Sequence, residues 1–431
     1  MTAELQRPNR WAIRAGNLGR RIAILCCAAV TGFVVSTPAQ DSLRLSLEND
    51  SAAAARQRQL LQDQPYTMRW GELNVLAGVS LAGGWNDNVN LSHSDPQQDS
   101  FILPVGNLNL FWPVTEFNAL TFSIGVGYEK FARYDQYDQL WIMPGTLLGW
   151  DIMIKDFKIN LHDFVSFEQD PTSAGAVSGL GRFGALDNTA GLLVSWDLHD
   201  VVLSLGYDHQ NVFYSPSSYD YLNHASDFAL VRASLQVHPA AKVGLEANGG
   251  PTRYGQRPMR DNTTYSVGPF ADWQATEHIQ VQARAGFYDY SFDNQPPGGA
   301  SPDQDGYYFS LRLTHNLREN INYTLSGGRQ TYLGIYSPLT EEWYGKCSIA
   351  WRVNDYLTLS PGFKYEHATQ PIAAGFSDDY DRMSANLRLS CPIKEKLMAS
   401  LEYQFWSKDD EISSSRDYQQ NRITLEFTYC F

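Results

Sequence analysis

Asp208-His209 is the pair in this sequence closest to an acid–base couple. A hydrolase would need it to meet a Ser or a second Asp at one point. If the pair lies in a strand, its two side chains point to opposite faces and cannot act together. The other histidines are scattered: His199, His238 and His278 border candidate turns, while His93, His224 and His367 lie in or near polar stretches. Cys347, Cys391 and Cys430 are far apart and lack metal-ligand spacing. Gly249-Gly250 and Gly327-Gly328 stand without a phosphate-loop motif and mark strand bends. No enzyme activity, metal or cofactor is therefore expected. The formal net charge of -14 argues against a nucleic-acid partner.

The more informative set is cationic. Arg284, Arg312, Lys346, Lys364 and Arg388 recur on the polar side of successive alternating segments, and only the segment holding Arg329 is out of phase. If those segments are neighbouring strands around a lumen, the cations form a basic wall that could guide an anionic solute such as a uronate-containing glycan. Equally, they could pair with Glu366, Glu402, Asp272 and Glu426, which share their face, and merely keep the wall hydrated.

Positioning such a wall requires strands, and from Leu73 onward the chain is written in period two. Ile423, Leu425, Phe427, Tyr429 and Phe431 share one face of the last segment; Thr424, Glu426, Thr428 and Cys430 share the other. Short turns recur about every 40 residues, at 113–116, Lys155-Asp156, His199-Asp200, 239–241, Thr276-Glu277, 318–320, Asn354-Asp355 and Lys394-Glu395. Trp112, Trp150, Trp196, Trp273 and Trp351 precede several of them, as an interfacial belt would. Longer polar stretches, Ala368 to Asp379 among them, lie between the turns and read as loops. The spacing predicts an all-β fold: a closed antiparallel transmembrane β-barrel of about 18 strands, with 16 an alternative and both termini periplasmic. A composition 13% aromatic and 43% apolar, with a mean hydropathy of -0.34, suits strands that are apolar on one face only. The stretches Asp170 to Asn188 and Asp293 to Asp305 are expected to face the medium, and the Asn354-Asp355 turn is not.

The N-terminus has the layout of a cleavable export signal over residues 1–39: Arg14, Arg20 and Arg21, an apolar run from Ile22 to Val35, and a small residue at Ala39. The run is short of the roughly 20 residues that span a bilayer as a helix. Its removal takes five Arg and one Glu, leaving 28 positive and 46 negative charges, or -18. Residues 40–68 read as a periplasmic extension, loose or folded as a small lumen plug, and 69–431 as the barrel.

The closing residues Phe427, Tyr429 and Phe431 resemble the terminal signal by which bacterial outer-membrane proteins are recognised by their assembly machinery. Gly84-Trp85-Asn86-Asp87-Asn88-Val89, at the end of the first strand, resembles the β-barrel porins found with exopolysaccharide export systems, over roughly residues 70 to 431. The resemblance implies location in the cell outer membrane, contact with its lipid and with the barrel assembly machinery, and a pore for an exopolysaccharide or small polar solutes. The alternatives are a structural or adhesive surface barrel with a closed lumen, and an outer-membrane hydrolase.

Overall fold

The computed structural model describes residues 66–294, 303–373 and 376–431, with side chains outside 371–378. The proposed signal, most of the N-terminal extension and much of the Asp293 to Asp305 stretch lie outside the described residues. The strands are β1 (Met68–Trp70), β2 (Leu73–Asn86), β3 (Asp99–Thr115), β4 (Asn118–Phe131), β5 (Gln139–Ile154), β6 (Phe157–Glu168), β7 (Gly184–Asp197), β8 (Val201–Ser215), β9 (His224–His238), β10 (Ala241–Tyr254), β11 (Asn262–Gln274), β12 (Ile279–Phe292), β13 (Gln304–Arg318), β14 (Ile321–Leu333), β15 (Leu339–Asn354), β16 (Leu357–Ala373), β17 (Phe376–Lys394), β18 (Leu397–Asp410) and β19 (Tyr418–Cys430).

From β2 to β19 each strand pairs antiparallel with the next, and β19 returns to β2, from Arg422 opposite Asn86 to Cys430 opposite Gly78. Eighteen strands therefore close a barrel, as the hairpin spacing predicts. Closure removes every free sheet edge except the lowest part of β2, which β19 does not reach. There β1 pairs instead, Met68 with Val75 and Trp70 with Leu73, and covers that remnant. All eight tight turns fall where the sequence places them; Lys155 and His199 adopt positive φ, 53° and 75°, to make two of them.

Alternation sorts the side chains into two environments. The outer surface is apolar, with Leu81, Ile102, Leu148, Leu205, Leu245, Val267, Phe287, Leu311, Phe363 and Leu425 all exposed. Trp112, Trp150, Trp196, Trp273 and Trp351 lie on this surface toward the turn end. A second ring, not foreseen from the sequence, runs along the loop end: Tyr128, Tyr207, Tyr265, Tyr307, Tyr365 and Tyr403. On β11, Tyr265 and Trp273 are eight residues apart, about 26 Å along the strand. With barrel strands tilted about 35–45°, that separation rises about 20 Å, a little less than the roughly 25 Å apolar band that two aromatic girdles flank. The inner face is polar: Thr121, Ser123, Glu129, Asn160, Glu246, Ser266, Glu366, Ser400 and Thr428 are buried.

One stretch read as loop is wall. Residues 368–379 mostly extend β16 and β17, whose pairing continues from Ala368–Tyr380 to Ala373–Phe376. The period-two code persists there, with Glu366, Ala368 and Gln370 all buried. What covers them is a loop from the far side of the barrel.

Candidate functional site: the narrowed lumen

The segment after β6 does not extend into the medium. Residues 184–188 belong to β7, and residues 169–183 turn back into the barrel, with Pro171, Thr172, Ala174, Ala176, Val177 and Phe183 buried. Contacts across the ring prove the direction. Arg382 on β17 donates to the Thr172 carbonyl at 2.9 Å, and Lys408 on β18 donates to the Ala176 carbonyl at 3.1 Å. Arg422 on β19 stands 3.6 Å from Asp170. From β6 the shorter way round to β17 passes β5, β4, β3, β2, β19 and β18, so these bonds can only be made through the interior. The physical reason lies in the composition: residues 171–181 contain no charged side chain, and their apolar atoms are better hidden than solvated. Gly175 permits the approach, because a Cβ there would sit 2.7 Å from both the Glu366 carboxylate and the Tyr380 hydroxyl.

A second loop meets the first. Ile335, between β14 and β15, packs in one cluster with Ala174, Val177, Phe183, Leu222 and Tyr380. It is held by Arg260, which is buried and donates to the carbonyls of Gly334 (2.8 Å), Ile335 (3.0 Å) and Ser337 (3.0 Å). Each charge-assisted bond of this kind contributes about 1.5–3 kcal/mol. Arg260→Met keeps the bulk and removes all three donors. Amide exchange at Gly334 to Leu339 should then accelerate roughly tenfold or more, the equivalent of about 1.4 kcal/mol of local protection. Unchanged exchange would mean that packing alone fixes this loop.

On the turn side of the loops the lumen is polar. A cavity of about 100 Å³ lies between Asp170 and Thr172 of the first loop, Trp141 on β5, and Arg388, Glu402, Arg422 and Glu426 on β17 to β19. That is room for several water molecules. Arg388 bridges Glu402 (3.1 Å) and Glu426 (2.5 Å), and Arg422 reaches Glu129 (2.6 Å) while its guanidinium lies 4.1 Å from the Phe101 ring centre. Arg382 pairs with Glu366, which also binds Lys364; Lys364 lies 3.4 Å from Glu342 as well.

The five cations singled out in the sequence all stand on the inward side of their strands. Arg312, Ser326, Lys346, Lys364 and Ser384 are successive cross-strand partners, so Arg312, Lys346 and Lys364 form one row across β13 to β16. Arg284, opposite Ser310 on the inward face of β12, adjoins this row, and Arg388 lies nearer the turns of β17. Arg329 faces outward, bonded to Glu341. None of the five is without an interaction. Facing them from the other half of the ring are Glu129, Glu168, Asp170, Asp187, Asp208 and Glu246, with Arg232 among them bound to Glu246. Asp208 and His209 do part to opposite faces: Asp208 meets His162 inside at 3.1 Å, and His209 meets Asp227 outside at 2.8 Å. Among the described residues no group of three or more His, Cys, Asp or Glu is placed to hold a metal ion.

Sequence reasoning missed Arg260, Arg382, Lys408 and Arg422, the residues that hold the loops. Arg382 has the same parity as Arg388 and would have joined the inward set had β17 been extended far enough. The uncharged run at 171–181 was the available sign that its loop is not solvated.

No family model matches the chain, and no curated protein sequence matches it. Solved structures that align with it are Pseudomonas aeruginosa OccK2 (OpdF) in complex with glucuronate, at 10% identity over 83% of this chain and 98% of that one, TM-score 0.47; P. aeruginosa OpdO, at 12% over 83% and 97%, TM-score 0.46; and the loop L8 deletion mutant of OmpT, an outer membrane protein of Vibrio cholerae, at 12% over 84% and 100%, TM-score 0.40. These alignments are loose, and the functional reading rests on the geometry of this barrel.

Proposed function

We propose that this protein is an outer-membrane channel that passes small polar solutes through a lumen narrowed by its own loops. The observation that carries the reading is a closed barrel, apolar outside between two aromatic girdles and polar inside, whose interior is crossed by the 169–183 loop. The terminal Phe431 and the signal-like N-terminus support delivery to the outer membrane. An anionic glycan as solute loses its main support, because Lys364 and Arg388 are mated to carboxylates and the opposite wall is acidic. Opposed walls of this kind favour a small solute that carries both charges or none over a polyanion.

The test is selectivity. In an asymmetric salt gradient across a planar bilayer, R284Q/R312Q/R388Q is expected to move the reversal potential toward cation preference, since Glu402 and Glu426 lose their shared partner. Polyuronate should block the parent protein only weakly. Wild-type selectivity in a normally folded triple variant would make the basic wall structural. Absence of any conductance from refolded parent protein would favour the closed surface barrel instead.

A further inference from the structure

The order tyrosine, acid, base occurs three times near the loop end of a strand: Tyr128-Glu129-Lys130 on β4, Tyr207-Asp208-His209 on β8 and Tyr365-Glu366-His367 on β16. The middle acid turns inward each time and is satisfied there, by Arg422, by His162, and by Lys364 with Arg382. The tyrosine and the base face outward, and an aspartate from the following hairpin arm accepts from both. Asp138 takes Tyr128 (3.4 Å) and Lys130 (2.8 Å); Asp227 takes Tyr207 (2.5 Å) and His209 Nδ1 (2.8 Å); Asp381 takes Tyr365 (2.6 Å) and His367 Nδ1 (3.0 Å).

The carboxylate fixes each base without exhausting it. With Nδ1–H donated to an aspartate, each imidazole has Nε2 uncommitted, an acceptor in the neutral ring and a donor in the imidazolium, and the Lys130 ammonium keeps two further donors. The side chains of Lys130, His209 and His367 are 56%, 43% and 38% exposed. One step toward the turns the outer surface becomes apolar, with Val126, Leu205 and Phe363 all exposed. Each constellation thus stands where acyl chains would give way to headgroups. The three are spread around the ring, on β4, β8 and β16, and one protein partner or a second copy of this chain would cover only one sector. What surrounds a membrane barrel on every side is lipid.

We propose that these three tyrosine–aspartate–base constellations dock the phosphate of lipid headgroups, with the Lys130 ammonium and the Nε2–H of the His209 and His367 imidazolium forms as the donors. The inference rests on the reading that the barrel spans a membrane. Thermal unfolding is followed in vesicles of a phosphate-free galactolipid containing a minor fraction of either phosphorylated or dephosphorylated lipid A. The phosphorylated form is expected to raise the midpoint by several degrees over the dephosphorylated one. K130Q/H209Q/H367Q should abolish that difference while conducting like the parent protein. A general loss of stability would lower both midpoints and leave the difference, so it cannot imitate the expected result. The proposal is overturned if the triple variant keeps the full difference, or if inorganic phosphate added to the galactolipid vesicles reproduces it. Failure of the parent barrel to insert into any of these vesicles would remove the membrane reading and this proposal together.

Discussion

Excising residues 171–182 and joining Asp170 to Phe183 through two glycines is expected to raise single-channel conductance several-fold and to admit polymers that the parent barrel excludes. The graft is geometrically mild, because the Phe183 N–H already bonds the Gln169 carbonyl at 2.9 Å and the two ends of the loop are neighbours. What disappears is the backbone that reaches the inner face of β17 and β18 from β6, through Thr172 and Ala176. An eighteen-strand ring is wide enough for an aqueous path unless something fills it. The excision also leaves Arg382 and Lys408 without their carbonyl acceptors. Each keeps a carboxylate, Glu366 and Asp410 respectively, so the cost should be a few kcal/mol at most and the wall should stand. Bilayer recording with graded polyethylene glycols measures the outcome. Unchanged conductance and an unchanged size cut-off would show that the loop is not the narrowest element.

Replacing Phe431 with Asp is expected to reduce assembled barrel by an order of magnitude or more, a larger loss than deleting residues 41–60 would cause. Phe431 closes the seam: its N–H donates to the Ala77 carbonyl at 3.1 Å, and its ring meets Tyr429 edge-on with centroids 5.3 Å apart. It stands on the apolar outer face at the end of the last pairing. A charge there sits near the bilayer boundary and at the strand end that the assembly machinery is expected to recognise. An unclosed ring leaves the β2 and β19 edges unpaired in lipid, where each unsatisfied backbone group costs several kcal/mol. Heat-modifiable folded protein in membrane fractions reports the result. Normal accumulation of the Asp variant would mean that the seam closes without this residue.

Most of this fold could be read from the chain because a barrel wall has only two environments. Wherever Ile423, Leu425 and Phe427 alternate with Thr424, Glu426 and Thr428, strand, face and register follow from one pattern. The tight turns were legible because they are local, and the inward side of Arg284, Arg312, Lys346, Lys364 and Arg388 follows from parity counted from those turns. The loops were not legible in the same way. Whether residues 169–183 point out or in depends on Arg382 and Lys408, more than two hundred residues away, and no local period records that. The tyrosine ring escaped notice for a related reason. Tyr207 and Tyr365 are each held by an Asp on the neighbouring strand and Tyr403 by Asn421, so their height is a property of pairing and not of their own segments.

The three tethers of the inward loop come from the last three strands, whereas the loop itself follows β6. Arg382 lies 210 residues beyond Thr172, and Lys408 lies 232 beyond Ala176. Contacts at such separations form late, after the intervening chain has been placed. Until β17 to β19 arrive, the loop has its packing against Leu222 and Ile335 but none of these three tethers. Sealing the wall and sealing the passage are therefore a single folding event, and a barrel that stalls before its final hairpin leaks at the seam and through the middle at once.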